Sequence, residues 1–267
     1  MTTPTAAPDP EDEVEQARMP LLDHLRELRD RLIKSLLALL LFTGAGFWTV
    51  DPILAFLRAP FDQALADAGV VGGLSLIGSP FEGMYVTMHV AIATGLVASS
   101  PFVTWQVWQF IAPGLYKTER RIVLPLTLTS TGLFLSGAAF CYYVIFPNAF
   151  PFFVTVVDAQ AMVSVDGYLS AVLRMMGAFG LSFQLPVVTF FLARMGLIDH
   201  RDMIRAFRYA IVAIFILAAL ITPPDVLTQT LLAIPLMALY VASIGVAWAF
   251  TTKVRAEPEP ASAQVGK

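Results

Sequence analysis

Between residues 33 and 249 the chain is dominated by six apolar runs, at about 33–50, 83–109, 122–146, 168–193, 208–222 and 226–249. About 20 apolar residues in helical form cross the roughly 30 Å hydrocarbon core of a bilayer. Within hydrocarbon each backbone N–H and C=O must find its partner inside the protein, and for single runs of this length a helix does so. The expected fold is an all-α integral membrane protein with six transmembrane helices. Composition agrees, since 57% of the residues are hydrophobic against roughly 45–50% in soluble domains. The fifth run is short for the core and is expected to need a thinned bilayer or a shielding neighbour. Pro223 and Pro224 separate it from the sixth and force a tight helical hairpin, because neither fits inside a continuing helix.

Orientation follows from the basic residues, which are retained on the cytoplasmic side. Fifteen of the 17 Lys and Arg lie in the N-terminal region, the second loop, the fourth loop and the C-terminal tail, leaving Arg58 and Arg174 elsewhere. Six spans with both termini in the cytoplasm satisfy this asymmetry. Residues 1–17 are acidic and contain Pro, and the stretch from Ala256 has the same character; residues 1–20 and 251–267 read as disordered tails flanking a membrane domain over 21–250. The outer loops at 51–82 and 147–167 are rich in Phe, Val and Leu, so they are expected to pack against bundle or membrane. In the first of them, Ser79, Pro80 and Glu82 read as N-cap, N1 and N3 of the second span.

Several chemistries lack their motifs. There is no phosphate loop, no H-E-x-x-H and no G-x-S-x-G, so nucleotide hydrolysis by that loop, zinc proteolysis and acyl transfer have nothing to stand on. His24, His89 and His200 are isolated and Cys141 is single, so no metal set, cofactor site or disulfide is expected. A net charge of −3 gives no basic field for nucleic acid. What remains is polar groups at membrane depth. Gln184 lies near the middle of the fourth span, two residues before Pro186, and its amide serves either helix packing or passage and conformational change. Gln229, near Thr222 and Asp225 at the outer end of the last two spans, forms a polar cluster suited to other polar membrane helices.

One charged stretch precedes the first span. "HLRELRDRL", residues 24–32, carries six ionisable residues in nine. Leu21, Leu25, Leu28 and Leu32 make one apolar stripe at helical spacing, with Glu27→Arg31 and Arg26→Asp30 as i,i+4 pairs beside it. Residues 21–32 are therefore an amphipathic interfacial helix. Anchoring would need only basic residues, so the acids, Glu27 here and Glu119 in the second loop, are in excess of that role. A proton-coupled transporter of small solutes and a structural scaffold remain open on the residues alone, although no acid lies clearly in mid-span as the former requires.

"HLRELRDRL", "VWQFIAPGLYKTERR", "FGLSFQLP" and "TPPDVLTQTLLAIP", in this order, resemble the signature segments of the TatC family, the six-span core of the twin-arginine protein translocase. The resemblance covers about residues 20–250. It implies a concave, glove-shaped bundle without enzymatic activity in the cytoplasmic membrane of a bacterium, with no cofactor. It implies a receptor for signal peptides of folded precursors, working with single-span TatA and TatB partners, with lipid and with other copies of itself, and driven by the proton-motive force. By position, Glu27 and Arg29 match the N-terminal motif and Glu119 the second-loop acid, the two glutamates being the expected acceptors of the arginine pair. Phe110, Pro113 and Leu115 would shape that loop, Pro60 and Pro80 match outer-loop positions, and Asp225 matches the acid of the outer hairpin. Gln184 departs from the family, which often has Glu there.

Overall fold

The structure, a computed structural model, describes residues 10–67, 81–111, 123–150, 165–221 and 226–251, with side chains from residue 22. Among these residues there is no strand. Helix α1 spans Pro10–Gly46 and passes through a 3-10 turn, Phe47–Thr49, into α2, Val50–Asp67. The others are α3 (Glu82–Ile111), α4 (Val123–Phe140), α5 (Val165–Ser182), α6 (Leu185–Arg194), α7 (His200–Ile221) and α8 (Val226–Phe250). Six stretches are long and apolar enough to cross a membrane: Leu22–Asp67, Glu82–Ile111, Val123–Phe150, Val165–Arg194, His200–Ile221 and Thr228–Phe250.

Two differences from the sequence reading have physical causes. Helical backbone begins at Pro10, inside the stretch expected to be a disordered tail. Pro is pre-organised for a first helical turn. The fifth span is likewise longer than its apolar run, because α7 has 22 residues, about 33 Å at 1.5 Å each. Arg201, Arg205 and Arg208 end the hydrophobic pattern without ending the helix, since long basic side chains reach back to the interface.

Backbone contacts divide the described residues into two compact units, one built from α1 with residues 87–131 and the other from residues 54–86 with those after 131. In the first, α1 and α3 approach until side chains are excluded. A Cβ on Gly95 would stand 2.7 Å from both Cα and N of Thr43, and one on Gly46 2.8 Å from the Ala91 carbonyl oxygen. Such small-residue contacts let membrane helices associate by close packing and hydrogen bonds. Along α3 and α4 the buried Trp108 donates its indole N–H to Ser130 at 2.8 Å, and the Thr104 and Thr131 hydroxyls lie 2.9 Å apart. Pro101 inside α3 leaves the Val97 carbonyl without its usual i+4 donor; the Ser100 hydroxyl donates to it at 2.7 Å.

The second unit repeats this solution. Residues 51–82, expected as a packed loop, contain α2, which buries Leu57, Phe61 and Ala64 at helical spacing. Pro60 lies inside it and frees the carbonyl of Phe56. Tyr142 donates its hydroxyl to that oxygen at 2.6 Å while its ring stacks on Phe56, and Tyr168 donates to the next carbonyl, Leu57, at 2.7 Å. Phe61, Phe146, Phe150 and Tyr168 complete the aromatic cluster. Beyond α4 the backbone widens into a π turn at Cys141–Ile145, just before Pro147, and is helical again to residue 150. Glu82 is buried, and its carboxylate accepts the Asp166 N–H near the start of α5 at 3.2 Å; it caps a second helix, whereas the sequence suggests service to its own.

The fourth span is two helices. Pro186 interrupts it, and the Gln184 carbonyl accepts the N–H groups of Val187 and Val188 at 3.0 and 2.9 Å, starting α6 afresh. α6 ends in a left-handed Gly196 (φ +72°) with Leu197 N–H bonded to Leu192 C=O, the Schellman pattern. At the start of α7 the Asp202 carboxylate accepts the Asp199 N–H at 3.2 Å, as the acid of a capping box does. α7 and α8 run antiparallel: Gln229 donates to the Phe215 carbonyl at 2.9 Å, and Tyr240 to that of Met203 at 3.0 Å.

Candidate functional site

The charged residues of α1 divide by face. Leu25, Leu28 and Leu32 are exposed, as a stripe lying in lipid requires. His24, Glu27 and Arg31, spaced three and four apart, form a second stripe against α3. His24 stacks on Phe110, the ring centroids 4.4 Å apart and the planes 13° from parallel. Arg31 is the hub. Its Nη2 and Nε both bond to Oε1 of Glu27, at 2.6 and 3.0 Å, while Nη1 donates to Oε1 of Gln109 at 2.8 Å and lies 3.5 Å from that of Gln106. The Arg31 and Glu27 side chains are 19% and 34% exposed, so this pair is far better shielded than its neighbours and stronger than an open surface pair. Among the described residues no bond reaches Oε2 of Glu27.

The other α1 charges point away. Arg29 bonds to the adjacent Asp30 and Arg26 to Asp23, all exposed. The expected Glu27→Arg31 pair is present, whereas Arg26 pairs back with Asp23 and not forward with Asp30. The arrangement therefore offers one half-buried carboxylate, partly engaged and held on a helix face beside an aromatic ring. Such a group recognises cations, above all guanidinium.

Of the candidate residues, Glu27 and Phe110 share this face and Arg29 does not. Pro113, Leu115 and Glu119 lie outside the described residues, as do Pro80, Thr222 and Asp225. Pro60 shapes α2 through the freed Phe56 carbonyl, Gln184 is half-buried at the α5–α6 break, and Gln229 spends an amide N–H on Phe215 within its own hairpin. Sequence reasoning missed Arg31, Gln106 and Gln109 as parts of one cluster. The signal for Arg31 was the i, i+3, i+7 polar spacing of 24, 27 and 31, which the leucine stripe overshadowed; Gln106 and Gln109 had none.

Comparison with known proteins identifies this arrangement's setting. The family model for the Sec-independent protein translocase protein (TatC) matches residues 23–235. The chain belongs to the TatC family. The TatC protein of Helicobacter pylori strain J99 is 41% identical over 231 residues, covering 85% of this chain and 88% of that one. That of Azotobacter chroococcum mcd 1 is 38% identical over 260 residues, 97% of each. A crystal structure described as the twin arginine translocase receptor TatC superposes with a TM-score of 0.76 at 37% identity, covering 86% of this chain and all of that one. Family and fold together make this a multi-pass bacterial membrane protein and a component of a protein translocase, in preference to a small-solute transporter. The α1–α3 face thus belongs to the N-terminal part of the TatC match.

Proposed function

We propose that the chain is the receptor subunit of a twin-arginine translocase: it binds the arginine pair in signal peptides of folded precursors and supports their export, driven by the proton-motive force. The observation that carries this reading is the match over the whole length of a solved twin-arginine translocase receptor. The chemistry is consistent with it. A guanidinium has a planar fork of donors suited to carboxylates, and Glu27 has an oxygen to offer. Glu119, in the segment between α3 and α4, is the second acceptor, with Phe110, Pro113 and Leu115 shaping its approach. The role is recognition and passage, with no bond-making step and no cofactor.

Both termini face the cytoplasm, because that puts fifteen of 17 basic residues there. TatA-type and TatB-type single-span helices dock at the outer end of the α7–α8 hairpin, where Thr222, Asp225 and Gln229 offer polar groups that lipid does not satisfy. Further contacts are with lipid and with other copies of the chain. The test is photocrosslinking in membranes with a signal peptide carrying a photoreactive residue beside its arginine pair. Adducts on α1 and on the segment between α3 and α4 are expected, and their loss when both arginines are changed to Glu; adducts insensitive to that change would overturn the reading.

A further inference from the structure

If Glu27 receives an arginine, its existing bond to Arg31 needs an explanation. An intramolecular arginine beside the acceptor is either a competitor that the signal must displace or a support that readies the acceptor. The geometry separates the two. A competitor occupying the site would use the fork-to-fork arrangement, two parallel bonds to two carboxylate oxygens. Here both short bonds converge on Oε1, at 2.6 and 3.0 Å, and no bond from a described residue reaches Oε2. The third nitrogen of the guanidinium points away from Glu27 to Gln109 on α3, at 2.8 Å. Arg31 is thus tied to a neighbouring helix by one end and grips one oxygen of the carboxylate with the other.

We propose that Arg31, anchored by Gln109, is a positioning residue of the signal-peptide site: it fixes the Glu27 carboxylate so that Oε2 faces an incoming guanidinium in a set orientation. This rests on the reading of Glu27 as an arginine acceptor. A glutamate free to turn about its side-chain bonds attracts any cation as a point charge, whereas a fixed one rewards the ligand whose donors meet it in the right plane. The clamp therefore contributes to the preference for arginine over lysine, and it spares the ligand the cost of ordering the side chain. Lysine at position 31 is no substitute, because a compact ammonium cannot grip Glu27 side-on while also reaching Gln109.

The test measures binding of two fluorescent signal peptides, one with the Arg-Arg pair and one with Lys-Lys, to the full-length protein in lipid nanodiscs. The proteins are wild type, Glu27→Gln, Arg31→Gln, Arg31→Lys, Gln109→Leu and the Glu27→Gln/Arg31→Gln double variant. Arg31→Gln and Arg31→Lys are expected to weaken Arg-Arg binding about tenfold, the factor that ~1.4 kcal/mol of side-chain ordering gives. Both also lower the Arg-Arg to Lys-Lys affinity ratio. Gln109→Leu, which keeps every charge, shifts both quantities in the same direction by less. In the Glu27→Gln background, removing Arg31 should cost nothing further. Tighter Arg-Arg binding by Arg31→Gln would make Arg31 a competitor and overturn the inference. So would an unchanged affinity ratio, or additive losses in the double variant, with Glu27→Gln still weakening binding. Unchanged binding by Glu27→Gln would instead remove the acceptor reading itself.

Discussion

Glu27 is the proposed arginine acceptor, and among the described residues only Arg31 bonds to its carboxylate. One oxygen carries both bonds from Arg31, and a charge-assisted hydrogen bond to the other is worth about 1.5–3 kcal/mol. Glu27→Gln and Glu119→Gln are therefore each expected to weaken an Arg-Arg peptide by about tenfold or more, and the double variant by more than either single. Fluorescence anisotropy on matched, folded preparations measures this, and wild-type affinity in the double variant would exclude the pair as acceptors. The acid stands out in the sequence as an excess charge on a helix that needs only bases for anchoring. Its clamp does not, because Gln106 and Gln109 lie more than 70 residues away and no local spacing links them to position 31. Gln184 shows the converse limit. Its sequence position beside Pro186 announces a break, yet the structure uses its backbone carbonyl to restart the helix, a role that any side chain would permit.

Elements in this protein are shaped by prolines whose freed carbonyls are satisfied by hydroxyls. Ser100 does so one residue from Pro101, a local device that sequence reasoning could read. Tyr142 does so for the Phe56 carbonyl that Pro60 frees, from 86 residues away, a link that no local sequence pattern announces. The double role of Tyr142 is separable by mutation. Tyr142→Phe keeps the ring stacked on Phe56, 4.2 Å between centroids, and removes the donor to the Phe56 carbonyl. The expected loss is about 1 kcal/mol, the net worth of a typical hydrogen bond, since this one is only part-buried. Pro60→Ala supplies a backbone N–H four residues after Phe56, so in that background Tyr142→Phe should cost much less. Thermal unfolding of the four proteins in one detergent decides it: an equal cost of Tyr142→Phe in both backgrounds would mean that the hydroxyl answers some other need. The fifth span teaches a related lesson, since hydropathy finds where a helix is apolar and α7 continues for two turns beyond that.

At the scale of the whole molecule, six spans and an all-α fold follow from hydropathy and backbone hydrogen-bond requirements, while the contacts that hold helices to one another depend on the absence of side chains, which hydropathy does not register. Gly95 is the sharpest instance. A methyl there would meet the Thr43 hydroxyl and stand 2.7 Å from that residue's Cα and N; backbone atoms cannot rotate aside, so α1 and α3 would have to part. Gly132 on α4 has nothing within 4 Å of the same added atom and serves as the control, with an equal gain in helix propensity. Gly95→Ala is expected to cost about 1–3 kcal/mol, as overpacking does, and Gly132→Ala to be neutral or slightly stabilising. The same two helices carry Glu27, Arg31, Gln109 and Phe110, so parting them should also weaken Arg-Arg peptide binding at a temperature where Gly95→Ala remains folded. Binding and unfolding measured side by side distinguish this from a general loss of stability: a lowered melting temperature with unchanged peptide affinity would mean that the recognition face tolerates displacement of the helices that build it.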